Sequence, residues 1–152
     1  MSYKPVIKQV GEVLALCWRE TSPLVEVGER IPALFHYAAE QELELTGPLF
    51  NLYYSHEFDE YEMDFATCLP VNRVVADKDK ITCITLPAAR VLSLVHYGPY
   101  EKIVEAYKTA RDYISERGLK ILLPSRELYL KTFGHTDNPE EFITELQFPI
   151  AE

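Results

Sequence analysis

Two stretches of the chain have the apolar spacing of an amphipathic helix. In each, apolar residues recur four, three and four positions apart, which places them on one helix face. The two stretches, about 26–42 and 100–117, present the faces Val27, Ile31, Leu34 and Ala38, and Ile103, Tyr107, Ala110 and Ile114. Pro32 predicts a kink or a later start for the first helix, whereas Gly118 predicts the end of the second.

Strand-like runs flank both predicted helices. These runs are short, apolar or alternating, and bounded by turn residues, as is typical of strands. They cover 6–10, 13–20, 49–56 and 61–71 around the first helix, and 81–86, 90–97, 128–133 and 142–148 around the second. The polar segment 72–80 predicts a linker or hairpin tip between the two sets.

The two sets form an internal repeat with an offset of roughly 76 to 79 residues, longer than a solenoid repeat. Leu14 corresponds to Leu92, Pro48 to Pro124, Tyr53 to Tyr129, and 69–71 to 148–150. We therefore predict a single domain of the α+β class. Two strand–strand–helix–strand–strand halves, about 1–75 and 80–152, form one antiparallel sheet with two helices packed on it. The seam between the halves is the expected ligand cleft.

Charge and composition narrow the functional class. The chain has 152 residues, with 15 basic and 24 acidic side chains and a net charge of −9. Because nucleic-acid binding needs clustered Lys and Arg, direct binding of DNA or RNA is not expected, and the acidic charge favours cationic partners. No apolar run approaches the roughly 20 residues that span a bilayer, and the N-terminus has no signal-peptide core. A cytoplasmic location without a membrane partner is expected.

No cofactor or metal is predicted. Cys17, Cys68 and Cys83 are scattered and lack CxxC spacing, which argues against a disulfide framework or a zinc site. Each lies in an apolar run and is expected to be a small core residue. The sequence contains no Gly-rich phosphate loop, nucleophile elbow or His-x-Glu zinc pattern, and therefore no standard enzyme signature.

The candidate binding site centres on Glu127. In a strand, Glu127 and Tyr129 point to one face, and Asn51 and Tyr53 occupy the corresponding positions of the first half. The repeat axis is expected to bring the four side chains towards one centre. A carboxylate ringed by phenols and an amide suits a cation with an aromatic body. The alternative is that Glu127 lies at an exposed strand end and that the tyrosines form the rim of the core.

Other aromatic residues lie on elements expected to flank the seam, namely Trp18, Tyr37, Tyr97, Tyr113 and Phe148. They either line the ligand site or fill the core, and a buried Tyr or Trp needs a partner for its polar atom in both cases. His96, next to the Gly98-Pro99 turn, is either an acid or base or a hydrogen-bonded histidine at a strand end.

Three segments carry a resemblance to a known family. Leu-Val-His-Tyr-Gly-Pro-Tyr at 94–100, Arg-Glu-Leu-Tyr at 126–129 and Phe-Pro-Ile at 148–150, in this order around a helix, resemble a GyrI-like small-molecule-binding domain. That family includes effector-binding domains of AraC-type and multidrug-responsive transcription regulators. The resemblance covers nearly the whole chain and includes the duplication. It implies a curved antiparallel sheet, and a cleft in which a buried glutamate, here Glu127, receives lipophilic cations among aromatic side chains.

Three functions follow from the resemblance. Because the domain begins within the first few residues, a stand-alone member without a DNA-reading module is expected. The favoured function is binding of a lipophilic, cationic or polyaromatic small molecule. Some family members hydrolyse electrophilic cyclopropane-bearing natural products, which makes Glu127 a candidate general acid or base. Others are protein-interaction modules that inhibit DNA gyrase, so a protein partner stays open as the third alternative.

Overall fold

The fold is known from a computed structural model, which describes residues 3–151. Within that range the chain forms the strands β1 (Val6–Val10), β2 (Val13–Ser22), β3 (Phe50–Tyr53), β4 (Met63–Pro70), β5 (Ile81–Leu86), β6 (Ala89–Tyr97), β7 (Ser125–Lys131) and β8 (Ile143–Pro149), and the helices α1 (Val27–Glu40) and α2 (Val104–Arg117). All strand pairings within the sheets described below are antiparallel. The predicted α+β class is confirmed.

The predicted signal for the end of α2 is confirmed, whereas the predicted effect of proline on the start of α1 is not. Gly118 adopts a left-handed conformation with φ of 61°, and the backbone N–H of Leu119 donates to the carbonyl of Ile114. This is the expected glycine C-cap. Pro32, in contrast, lies inside α1, which already begins at Val27. Pro32 therefore does not set the start of that helix.

The chain divides into two compact units. The terminal unit contains the described residues up to Val10 and those from Ala89 onwards, and its strands follow the order β1-β6-β8-β7. The central unit contains Gly11 to Ala88, and its strands follow the order β5-β2-β4-β3. Helix α2 packs on β6, and α1 packs on β2 and β4.

The first strand of each sequence repeat pairs with strands of the other repeat and not with those of its own. Along the chain, β1 opens the first predicted half and β5 opens the second. In space, β1 pairs with β6 of the second half, and β5 pairs with β2 of the first. Each unit thus takes strands from both sides of the boundary near residue 78. Superposition of the two sequence halves, 1–75 and 80–152, stays a prediction.

Each unit buries an apolar cluster between its helix and its sheet. In the central unit the cluster includes Leu16, Leu34, Tyr37, Ala38 and Leu69. In the terminal unit it includes Leu92, Leu94, Ala110 and Ile150, with Phe148 and Tyr113 packed against it. Burial of each large aliphatic side chain contributes about 1.5–3 kcal/mol, so these clusters fix the sheet face that each helix covers.

Two of the cysteines lie in the core of the central unit. Cys17 and Cys68 are buried and directly opposite each other on β2 and β4, which confirms their predicted place. Cys83 is only partly buried, and all three are free thiols. Among the described residues, no helix has both the length and the apolar character needed to cross a membrane.

Candidate functional site

Glu127 lies on the face of the terminal sheet that α2 covers. It pairs with Leu146 of β8, which pairs in turn with Leu94 of β6. Directly opposed residues of antiparallel strands point to the same face, and Leu94 packs against Ala110 of α2. Glu127 retains only 9% of its accessible surface. The alternative of an exposed strand-end glutamate is therefore wrong.

Two phenols hold the Glu127 carboxylate. The hydroxyl of Tyr129 donates to Oε1 at 2.8 Å, and the hydroxyl of Tyr107, on α2, donates to Oε2. A hydrogen bond to a charged group contributes about 1.5–3 kcal/mol, and both bonds stabilise the ionised carboxylate. The predicted alternation of Glu127 and Tyr129 onto one strand face is confirmed by this contact. Tyr107, Glu127 and Tyr129 are called the carboxylate group below.

Aromatic rings surround the carboxylate group on two sides. Phe148 packs edge-on against Tyr107, with 5.9 Å between ring centroids and an interplanar angle of 85°. Tyr100 packs edge-on against Tyr129, at 5.9 Å and 88°. Such edge-to-face pairs add about 0.5–1.5 kcal/mol beyond the area they bury. The rings therefore fix the directions from which the two phenols reach Glu127.

Tyr100 is tied to the site by charge as well as by packing. Burial raises the pKa of its hydroxyl, and the charge of Glu127 raises that pKa further. The same hydroxyl forms a hydrogen bond with the Thr132 side chain, which acts in the opposite direction on the pKa. Tyr100 thus stays a neutral phenol over the physiological pH range.

A β-bulge after Tyr129 redirects a lysine away from the site. Tyr129 pairs with Thr144, but Lys131 pairs with Ile143, so one extra residue stands between them. Lys131 consequently points to the opposite face, where its Nζ lies 3.2 Å from Oε1 of Glu141. Regular alternation would have put this ammonium on the face of Glu127 and Tyr129. Bulges commonly re-aim side chains next to functional sites in this way.

The other predicted aromatics of the terminal unit lie at different distances from Glu127. Phe148 reaches the carboxylate group through Tyr107. Tyr113 packs on the apolar cluster, and the guanidinium of Arg117 lies 3.8 Å from its ring centroid. Tyr97 is 57% exposed and pairs with Ile143, on the face opposite to Glu127. The structure does not bring Tyr97 to Glu127.

The remaining predicted residues belong to the central unit. On β3, the amide of Asn51 donates to the hydroxyl of Tyr53 at 3.1 Å, and the ring of Tyr53 stacks on Phe65 at 6.2 Å. These contacts confirm that Asn51 and Tyr53 share one strand face. Their convergence on Glu127 stays a prediction.

Trp18 and Tyr37 have contacts of different kinds within the central unit. The indole N–H of Trp18 donates to Glu20 at 3.2 Å, and Nζ of Lys80 lies 5.6 Å from the Trp18 ring centroid. Tyr37 is buried in the apolar cluster, and its hydroxyl donates to the carbonyl of Ala76 at 2.6 Å. Tyr37 is thus a core residue whose polar atom is satisfied by the backbone.

His96 is satisfied on both ring nitrogens. Its Nε2 lies 2.9 Å from the carbonyl oxygen of Pro99, and its Nδ1 lies 2.8 Å from the hydroxyl of Tyr3. A carbonyl only accepts, so Nε2 carries a proton and donates to Pro99. His96 retains 1% of its accessible surface. The structural interpretation of His96, a hydrogen-bonded histidine at a strand end, is confirmed.

With this geometry established, comparison with known proteins defines the family. A model of the GyrI-like small molecule binding domain matches residues 3–151. The chain belongs to this family. The comparison with curated protein sequences gave no match.

Two solved structures of EcmrR are similar in fold to this chain. The C-terminal domain of EcmrR is 25% identical with a TM-score of 0.93, and the alignment covers 100% of this chain and 99% of that domain. In a complex of EcmrR with DNA, the match has 25% identity and a TM-score of 0.90 over 99% of this chain, which spans 58% of the EcmrR chain.

Two further structures are more distant in sequence and show similarity of fold. A hydrolase encoded by lin2189 from Listeria innocua is 17% identical with a TM-score of 0.73, over 97% of this chain and 92% of that one. SAV2435 bound to tetraphenylphosphonium is 19% identical with a TM-score of 0.59, over 99% and 94% of the two chains.

Two residues of this GyrI-like domain were missed as site residues by sequence reasoning. Tyr107 was assigned to the apolar face of its helix, although a phenol on such a face needs a polar partner when buried. Tyr100 closes the motif at 94–100, but its contact with Tyr129 depends on the tertiary structure. Within residues 3–151, no group of His, Cys, Asp and Glu side chains is arranged to hold a metal ion.

Proposed function

We propose that this GyrI-like domain binds a lipophilic, cationic aromatic small molecule at Glu127. The observation that carries the proposal is a buried carboxylate whose two oxygens each accept a hydrogen bond from a phenol. Aromatic faces attract a cation by about 0.5–2 kcal/mol when water is displaced. The carboxylate therefore provides a negative charge for the cation, and the aromatic rings around it provide an apolar contact surface for the ligand.

The phenol donors make this carboxylate a charge-recognition group. Burying an ionised carboxylate is costly unless hydrogen bonds compensate for the lost water. Tyr107 and Tyr129 provide such bonds, and because phenols are neutral, they stabilise the charge without cancelling it. A ligand cation then interacts with Glu127 at a lower effective dielectric than in water, where Coulomb attraction is stronger.

The family and one structural neighbour support the same ligand class. The family description is small-molecule binding, and SAV2435 is bound to tetraphenylphosphonium, which is a permanent cation covered by aryl groups. The redirected Lys131 fits a cation site as well, because an ammonium beside Glu127 would repel such a ligand.

Paired titrations of wild type and Glu127→Gln test the proposal. Gln keeps the size of the side chain but removes the charge, so affinity for tetraphenylphosphonium should fall by about 1–3 kcal/mol. Affinity for the neutral triphenylphosphine oxide should change little. Glu145→Gln is the matched control, because Glu145 is also buried in the terminal sheet but points to the other face. Equal affinities of wild type and Glu127→Gln for the cation would contradict the proposal.

Hydrolysis of electrophilic cyclopropane-bearing compounds is the second candidate. A buried carboxylate next to phenols has the parts of a general acid–base pair, and the lin2189 protein, described as a hydrolase, shares the fold. We rank this function second because, beyond binding a ligand, Glu127 must also transfer a proton to or from water or a leaving group. A hydrolase would lose turnover by about two to four orders of magnitude in Glu127→Gln, with little change in substrate affinity.

A further inference from the structure

We infer that Tyr100 and Phe133 form an extension subsite that holds a second aryl group of the cation bound at Glu127. The inference rests on the proposed function and adds to it the shape of the ligand. The preferred ligand is then an elongated cation with one aryl group near the charge and another apolar aryl group further away.

The rings that support this subsite form a row that starts at the carboxylate group. Tyr129 contacts Tyr100 edge-on with 5.9 Å between centroids, and Tyr100 contacts Phe133 at 6.4 Å. Both Tyr100 and Phe133 also pack on Phe142, at 5.1 and 4.7 Å. The row therefore continues without a break from Glu127 to Phe133.

Exposure increases along this row. Glu127 retains 9% of its accessible surface, and Tyr100 is partly buried, whereas Phe133 is 69% exposed. Phe142 beneath them is 1% exposed, so Phe133 has a rigid support on one side and solvent on the other. An apolar ring that is supported in this way can be covered by an aryl group without first being ordered, which reduces the entropy cost of binding.

The backbone around Phe133 is also held in place. The hydroxyl of Tyr100 bonds to the Thr132 side chain, and the backbone N–H of Thr132 donates to Nδ1 of His135 at 3.1 Å. The backbone N–H of His135 donates to the carbonyl of Thr132 at 3.0 Å. Because the Tyr100 hydroxyl is bonded to Thr132, the subsite presents ring surface to a ligand, which favours an unsubstituted aryl group.

The central unit provides a comparison for this exposed ring. Phe58 also lies in the loop between the last two strands that follow a helix, and it is 73% exposed. In the described part of the chain, however, Phe58 has no aromatic ring packed against it. Phe58 therefore serves as a matched control for the loss of an exposed phenylalanine.

Two quaternary ammonium probes test the subsite by calorimetric titration. One is benzyltrimethylammonium, with a single ring, and the other is 4-(benzyloxy)benzyltrimethylammonium, with two. Phe133→Ala should weaken binding of the two-ring probe by about 2- to 12-fold, the equivalent of one aromatic pair. Binding of the one-ring probe should stay within about twofold, and Phe58→Ala should leave both probes unchanged.

The remaining outcomes separate the subsite from the site itself. If Phe133→Ala weakens both probes equally or neither of them, the extension subsite is overturned while cation binding at Glu127 stands. If wild type binds neither probe, or if Glu127→Gln binds both as well as wild type does, the proposed function fails and the subsite fails with it.

Discussion

Two buried side chains of opposite charge, Arg30 in the central unit and Glu127 in the terminal unit, are satisfied by different means. In the central unit, Arg30 is 1% exposed, and its guanidinium donates to the backbone carbonyls of Trp18, Phe65 and Glu20. In the terminal unit, Glu127 accepts from the side chains of Tyr107 and Tyr129. The partners named for Arg30 are main-chain groups of the sheet, whereas the partners named for Glu127 are side chains. Because these partners are main-chain carbonyls of the sheet, Arg30 is part of the scaffold.

Corresponding positions in the repeat support this difference. At the offset that aligns Tyr53 with Tyr129, the equivalent of Glu127 is Asn51, and the equivalent of Tyr107 is Ile31. The acceptor carboxylate and one of its phenol donors are thus both absent from the central unit. At the level of sequence, one repeat thus has Glu and Tyr at positions where the other has Asn and Ile.

The largest effect is expected from removing the buried cation of the central unit. Arg30→Met removes the hydrogen bonds to three backbone carbonyls and a guanidinium stacked 3.8 Å from the Phe65 ring centroid. Urea unfolding should show a loss of stability of about 3–5 kcal/mol. Arg117→Met, which removes an arginine stacked on Tyr113 at the protein surface, is the control and should cost less than about 1 kcal/mol. Similar losses of stability for both variants would contradict the structural role of Arg30.

An intermediate loss of stability is expected when the hydroxyl of Tyr107, which connects α2 to Glu127 on β7, is removed. Tyr107→Phe removes one hydrogen bond to a charged carboxylate, which should cost about 1.5–3 kcal/mol in urea unfolding. Tyr113→Phe is the control on the same helix, because no hydrogen bond of its hydroxyl is found in the described residues, and it should stay within about 0.5 kcal/mol of wild type. If the two variants are equally stable, the contact between Tyr107 and Glu127 does not stabilise the fold.

The smallest effect on stability is expected from Glu145, the second buried glutamate of the terminal unit. Burial by itself raises the pKa of Glu145, but bonds from Lys8, Gln147 and Ser93 outweigh it and hold the pKa below its ordinary value of 4.5. The ion pair with Lys8 measures 2.8 Å. A lowered pKa in the folded state stabilises the protein above the unfolded pKa, and this stabilisation is lost as the pH falls through the folded value.

The lowered pKa of Glu145 determines how the stability difference between wild type and Glu145→Gln depends on pH. Wild type should be more stable than the variant at pH 7, and the difference should shrink as the pH is lowered below the ordinary value of 4.5. Urea unfolding at several pH values measures it. A difference that grows towards acidic pH would contradict the role of Glu145 as an ion-paired, structural carboxylate.

Much of the scaffold could be predicted from the sequence because its signals are local. The spacing of apolar residues located both helices, Gly118 marked the end of α2, and alternation placed Glu127 and Tyr129 on one face. The exchange of β1 and β5 was not predictable, because both are short strands with similar patterns. Their partners depend on the tertiary structure and not on local sequence.

The details of the site were harder to predict than the fold. No Gly or Pro marks the bulge between Tyr129 and Lys131, so the sequence carries no local signal for it. Tyr107 and Tyr100 reach their partners across elements that are far apart in sequence. Tyr97 lies on β6, where its pairing with Ile143 places it on the face opposite to Glu127.

The central claim is that a cation binds next to the Glu127 carboxylate in the terminal unit. Tetraphenylarsonium has the shape and charge of tetraphenylphosphonium, and its arsenic atom can be located by anomalous diffraction from a soaked crystal. We expect one strong arsenic peak within about 6 Å of the carboxylate or of the rings around it, the range of cation–π contacts, and a clearly lower occupancy of that site in crystals of Glu127→Gln soaked at the same concentration. An arsenic site elsewhere on the chain, or equal occupancy of the same site in both crystals, would contradict the claim.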